Sequence, residues 1–257
     1  MILKQLADYA KERVEKAKRQ ITPDEIKTRA LSMPTGDKRF LNALKGSGLS
    51  LICEVKKASP SKGIISPDFP YLDIAKSYEK AGADCISCLT EPKWFMGSDE
   101  IFREIRNSVS IPMLRKDFTV DEYQIYEAKC MGADCVLLIC ALLDTDAIKK
   151  YIGICDSLGL SALAETHNED EIRSAVQAGA EMIGVNNRNL KDFTVDISNS
   201  AALRGLIPKN AVFVAESGIT SPKDAQTLHR AGADALLIGE ALMRSADRAG
   251  FIAECRK

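Results

Sequence analysis

The chain predicts an α/β fold, a closed (β/α)8 TIM barrel with an N-terminal helical extension. Three observations carry that expectation. A short phrase recurs four times: EKAGADCISCLT from residue 79, AKCMGADCVLLI from 128, VQAGAEMIGVNN from 176 and HRAGADALLIGE from 229. Apolar runs of strand length lie between the copies, and charged residues gather where those runs end.

Each copy of the phrase ends a helix and starts a strand. Gly82, Gly132, Gly179 and Gly232 sit where a left-handed helix C-cap is expected, because a residue without a Cβ enters that conformation without strain. The copies are 50, 47 and 53 residues apart, too far for one strand-helix unit, so each interval holds two. LICEV at 51, PMLRK at 112, SALAE at 161 and VFVAE at 212 supply the intervening strands. Helix starts are expected at capping boxes Thr119 to Glu122 and Thr166 to Glu169, and at Ser221-Pro222 as N-cap and N1. Eight alternating units in about 200 residues favour a closed barrel. The main alternative, an open doubly wound sheet, lacks its G-x-G-x-x-G after the first strand.

Residues 1–45 precede the barrel, with Leu3, Leu6, Ala10 and Val14 on one helix face. They could cover the barrel's bottom or lid its top, and spacing alone leaves both open. We expect one domain over 1–257, with 1–45 as the extension and 46–257 as the barrel.

Composition narrows the function. With 46% hydrophobic and 28% charged residues the chain can bury a large core under a polar surface. A net charge of −1 does not suggest a nucleic-acid surface. The charged amphipathic N-terminus is unlike a signal peptide, and no run approaches a membrane span. The 8 cysteines fall mostly inside apolar runs, as reduced thiols do, which points to the cytoplasm. Cys85-x-x-Cys88 has metal or redox spacing, but an offset of three within a strand places the thiols on opposite faces.

Barrel enzymes build their sites at the C-terminal strand ends. Here those ends carry Glu54 and Lys56 with the loop Ser59-Pro60-Ser61, then Arg115-Lys116-Asp117-Phe118, Glu165, Asn186-Asn187-Arg188, Glu216-Ser217-Gly218 and Gly239-Glu240. Side-chain alternation puts Glu54 and Lys56 on one face and Cys53 and Val55 on the other, with Lys57 out of phase. A single buried pair could be structural. Three glutamates and two lysines in one mouth would cost several kcal/mol if they only packed. Ser217-Gly218 and Gly239 offer backbone N–H groups at the usual barrel phosphate position, although glycines there could also serve only a tight turn. Trp94, Phe95 and Phe118 on top loops suit a planar apolar ligand, with core packing as the alternative. His167, just after Glu165, could approach the mouth, but a surface placement at a helix start is the expectation.

The stretches EVKKASPSKG, LTEPKWFMGS, LRKDF, AETH, VNNRNL, AESGI and LLIGEALM, in this order, resemble the indole-3-glycerol phosphate synthase family of tryptophan biosynthesis over nearly the whole chain. The resemblance implies ring closure of 1-(2-carboxyphenylamino)-1-deoxyribulose 5-phosphate with loss of carbon dioxide and water. It implies no metal or organic cofactor, and an N-terminal extension that helps close the top. It makes Lys116 the general acid and Glu165 part of the proton traffic, while Lys56 holds the substrate or donates in the dehydration. Glu54, Asn186 and Glu216 would orient lysines and substrate; Ser59 and Arg188 would bind substrate anions. Ser217, Gly218, Gly239 and Glu240 would cradle phosphate, and Phe95, Phe118, Leu137 and Leu190 would wall the aromatic ring. Two ammonium groups would depress each other's pKa against the pull of the glutamates, balancing a donor near neutrality. Met96 departs from the Gln or Asn expected beside the ring pocket.

The expected partner is a phosphorylated small molecule, not nucleic acid or membrane. The chain is taken as a monomer, with other tryptophan-pathway enzymes as candidate associates. Two rival readings remain: a Schiff-base aldolase using Lys116 or Lys56, and a phosphate-sugar binding protein without turnover.

Overall fold

The computed structural model describes residues 2–46, 48–190 and 192–257. Eight parallel strands, β1 (Ser50–Val55), β2 (Cys85–Leu89), β3 (Met113–Lys116), β4 (Cys135–Ile139), β5 (Ser161–Thr166), β6 (Met182–Asn186), β7 (Val212–Glu216) and β8 (Ala235–Ile238), pair in chain order. β1 closes on β8, with Ser50 opposite Ala235. Helices α1 (Ile2–Gln20), α2 (Pro23–Ser32) and α3 (Arg39–Ala43) precede β1. α4 (Tyr71–Lys80), α5 (Asp99–Ser108), α6 (Tyr123–Cys130), α7 (Thr145–Leu158), α8 (Glu169–Gln177), α9 (Ser198–Leu203) and α10 (Pro222–Arg230) follow strands one to seven. The short α11 (Glu240–Arg244) and then α12 (Arg248–Cys255) follow β8. The fold is the expected closed barrel.

Alternation along each strand divides the apolar residues between two cores. Cys53, Val55, Cys88 and Val136 face the helices, whereas Ile52, Cys85, Leu114, Leu137 and Leu163 fill the barrel. Cys85 and Cys88 therefore point to opposite sides of β2, as their spacing requires.

The recurrent phrase works twice at the barrel's lower rim. Its glycines end α4, α6, α8 and α10 at φ between 83° and 95°, a region that penalises any Cβ. Its aspartates then stitch neighbouring strands: Asp84 accepts from the Leu51 N–H at 2.7 Å, and Asp134 and Asp234 accept from Met113 and Phe213 at 2.8 Å. The third copy has Glu181 instead, paired with Lys38.

The N-terminal extension takes both placements that its spacing left open. α3 closes the bottom, where Phe40, Leu41 and Leu44 are buried against the barrel's interior residues. The Leu41 N–H donates to Ser161 Oγ at the start of β5. α1 lies across the top, burying Leu6, Ala7, Ala10 and Val14.

Two expected helix starts are corrected. Thr166 belongs to β5 and its hydroxyl donates to the Gly184 carbonyl on β6, so Asn168 caps α8 instead. Thr119 is buried before α6, whose first N–H is met by Asp121. Ser221 does cap α10, in a capping box with Asp224 and with Pro222 at N1. The loop after β1 also contains a small antiparallel hairpin, Ala58–Ser59 with Gly63–Ile64.

Candidate active site

The C-terminal ends of the strands surround a cavity of about 1060 Å3. Every residue that the family resemblance assigned to the site lines it: Lys116, Glu165, Lys56, Glu54, Asn186 and Glu216 at the centre, with the anion and ring positions around them. Ile2, Leu3 and Leu6 of α1 form part of the roof.

Lys116 ends β3 and reaches across the mouth. Its Nζ donates to Glu165 Oε2 at 3.0 Å and to Glu216 Oε2 at 2.8 Å, from strands two and four places further round the barrel. Lys56 Nζ donates to Glu54. Strand alternation makes both pairs possible, and glycines make room for them. A Cβ on Gly184 would lie 2.2 Å from Glu216 Oε1, and one on Gly239 would lie 2.3 Å from Glu54 Oε1.

Burial and charge oppose each other here. Burial pushes Lys116 down, but Glu165, Glu216 and Glu54 outweigh it and hold the ammonium well above its ordinary value. The near-neutral balance expected of this lysine is therefore not struck, because the carboxylates dominate. Burial pushes Glu165 up, yet Lys116, His167 and hydrogen bonds from Lys116 and Asn186 bring it below the ordinary value. Glu216 goes the other way: burial, helped by Glu165 and Glu54, raises it to about 7 against Lys116. Two carboxylates on one lysine are thus shifted in opposite directions.

Polar atoms aimed at one side of the cavity await a partner. Ser59 Oγ, in the hairpin after β1, is buried without a hydrogen bond among the described residues, and so is Glu216 Oε1. Arg188 reaches the cavity from the loop after β6, where its Nη1 donates to the Phe193 carbonyl at 3.4 Å. Ser217 and Gly218 turn the chain after β7 with successive φ of 66° and 82°. A Cβ on Gly218 would stand 2.6 Å from Val195.

The opposite wall is apolar, with the Phe95 and Phe118 rings 6.1 Å apart and Leu137 and Leu190 nearby. Trp94, offered with them from sequence, does not line the cavity; it meets Tyr9 of α1 edge-on at 5.6 Å and helps seat the roof. Met96 is 38% exposed with φ 54°, on the surface of that loop rather than in the cavity. Lys57 is also outside the cavity lining, as its phase requires.

Sequence reading missed several residues that shape this site. Glu91 is fully buried and accepts from the N–H groups of Lys93, Trp94 and Phe95, which sets the loop carrying Phe95. Arg13 of α1 forms a two-pronged pair with Asp117, the residue after Lys116, and Thr90 donates to the same carboxylate. No short motif marks these long-range partners. His167 is not at the surface: its side chain is 11% exposed and its Nε2 stands 3.5 Å from Glu165 Oε1. Alternation gave a signal for it, since residues 165 and 167 share a phase as 54 and 56 do.

Fold and site together define a barrel enzyme that moves protons on an anionic small molecule with an apolar, ring-sized part. A solved structure of thiamine phosphate pyrophosphorylase from Pyrococcus furiosus shares the fold, at a TM-score of 0.61 and 18% identity over 84% of this chain and 96% of that one. Residues 3–255 match the family model described as indole-3-glycerol phosphate synthase. Curated proteins of that name are similar from end to end. The one from Ruminiclostridium cellulolyticum is 55% identical over 100% of this chain and 99% of its own. That of Endomicrobium trichonymphae is 50% identical over 100% of both, and that of Lachnoclostridium phytofermentans 46% over 96% of both. The chain belongs to the indole-3-glycerol phosphate synthase family. Its reaction is the decarboxylating and dehydrating ring closure of 1-(2-carboxyphenylamino)-1-deoxyribulose 5-phosphate, a carboxy-lyase step of tryptophan biosynthesis. No helix among the described residues is long and apolar enough to cross a membrane.

Proposed function

We propose that Lys116 is the general acid of the ring closure and that Glu165 and Glu216 divide the accompanying work. The observation that carries this is the position of Lys116 Nζ, in the cavity and within hydrogen-bond reach of both carboxylates. When the aromatic carbon attacks the sugar ketone, the ketone oxygen gains a bond's worth of negative charge. Lys116 donates its proton there. The high pKa of this ammonium is no obstacle, because a developing alkoxide is more basic than an amine.

Loss of carbon dioxide then restores the aromatic ring, and a hydroxyl must leave as a neighbouring C–H proton is taken. Glu165, held ionised, is the base for that proton. Lys56, steadied by Glu54, donates to the departing hydroxyl. Glu216 and Asn186 orient the lysine, the base and the substrate. The turn at Ser217-Gly218 and the start of α11 at Gly239-Glu240 take the phosphate, supported by the crowding that excludes a Cβ at Gly218 and Gly239. Ser59 and Arg188 meet substrate anions, and Phe95, Phe118, Leu137 and Leu190 hold the ring.

The setting we propose is a cytoplasmic monomer folded as one domain. Its 8 cysteines, all free, suit a reducing compartment.

The rival use of the same lysines is a Schiff base. Borohydride added to enzyme turning over its substrate separates the two by intact mass. The acid–base scheme predicts an unmodified chain. A reduced adduct on Lys116 or Lys56 would overturn it.

A further inference from the structure

His167 lies outside the assignments above, yet it is the one titratable side chain besides Lys116 that faces Glu165 closely among the described residues. Its ring is clamped from behind. Glu171, on the first turn of α8, accepts from both the His167 backbone N–H at 2.8 Å and Nδ1 at 3.0 Å. Asn168, the α8 N-cap, donates to the other Glu171 oxygen, which fixes that carboxylate in turn. Asn199 of α9 donates to the His167 carbonyl. With Nδ1 committed to Glu171, Nε2 is left pointing at Glu165 Oε1 from 3.5 Å, buried and without a hydrogen bond among the described residues.

The two oxygens of Glu165 therefore have separate neighbours, Lys116 at Oε2 and His167 at Oε1. Glu216 shares the lysine, and its second oxygen has no hydrogen-bond partner among the described residues. That asymmetry is what otherwise equal carboxylates on one ammonium need in order to take different roles.

We propose that His167, clamped by Glu171, is a positioning residue that holds Glu165 as the ionised base and so assigns the roles of the two carboxylates on Lys116. The inference rests on the reading of Glu165 given above. The groups that face the imidazole are Glu165 on β5, which leads into it, Glu171 on α8 and Glu216 on β7, with Lys116 beyond Glu165 and the buried Cys140 thiol near both Glu165 and Glu171. Burial pushes the imidazole down, and Glu171, Glu165 and Glu216 more than compensate, so it stays above its ordinary value. The shift favours the protonated form of the ring beside Glu165.

Steady-state kinetics of His167→Ala, His167→Gln, Glu165→Gln and the double variant Glu165→Gln/His167→Ala across pH test this. An opposite charge within a few ångströms lowers a carboxyl pKa by one to three units, so its loss in His167→Ala should move the acid limb of kcat/KM up by about one pH unit. His167→Gln, which keeps a donor but no charge, should move it in the same direction. Turnover should fall about tenfold with KM within about threefold, the pattern of a residue acting through the base. In the Glu165→Gln background the second substitution should cost less than about twofold, because the group it acts through is gone. An unmoved acid limb in both single variants, or a full additional loss in the double variant, overturns the inference while leaving Glu165 its role. Wild-type turnover by Glu165→Gln overturns both.

Discussion

The two ends of this barrel use charge in opposite ways. At the bottom, carboxylates are spent on the backbone: Asp84, Asp134 and Asp234 each take an N–H at the start of a neighbouring strand, and α3 with its C-cap plugs the opening with Phe40, Leu41 and Leu44. At the top, carboxylates face one another and two lysines around an open cavity, and Ser59, Glu216 and His167 each leave a buried polar atom without a hydrogen bond among the described residues. The same residue types stabilise one end and strain the other. The difference lies in whether the partner is part of the fold or is supplied from outside it.

If that division is real, substitutions at the two ends should separate stability from turnover. The largest stability effect is expected at the bottom. Phe40→Ala removes a fully buried ring and should lower unfolding free energy by roughly 3–5 kcal/mol, read from urea midpoints, with kcat within about twofold. A comparable loss of kcat in folded protein would show that the plug also shapes the mouth.

A smaller effect of opposite sign is expected at the top. Folding raises Glu216 from 4.5 to about 7. Below pH 4.5 the carboxyl is protonated in both states and costs nothing. Between pH 4.5 and 7 only the unfolded chain ionises, so stability drains away as pH rises, reaching a plateau of roughly 3 kcal/mol above pH 7. Glu216→Gln should therefore gain up to about 3 kcal/mol at pH 8, gain little at pH 4.5, and lose turnover. A variant less stable than the parent at pH 8 would mean that the Lys116 pair outweighs the burial of this carboxylate.

The comparison also explains what could be seen in the sequence. Strands were legible because each is a short apolar run beginning directly after a glycine-ended helix, or matching one in length. The charges of the candidate site were legible because strand ends are where a barrel keeps its chemistry, so Glu54, Lys116, Glu165 and Glu216 stood out against apolar neighbours. The hairpin at 58–64 was not, since SPSK reads as a turn and offers no alternation. Thr166 looked like a cap because its local pattern matched one, and the β6 carbonyl it binds is 18 residues away. The role of the recurrent aspartate needed the strand next door. His167 needed only the alternation of β5 to be carried two residues further.

Lys116 is where the account is most exposed. Fluorescence-monitored indole product formation by purified Lys116→Ala, set against wild type, measures its contribution directly. As a general acid it should give a kcat at least ~10² lower with KM within roughly tenfold. A folded Lys116→Ala enzyme with wild-type kcat would contradict the assignment, and with it the claim that the charges at the top of the barrel are there for the reaction.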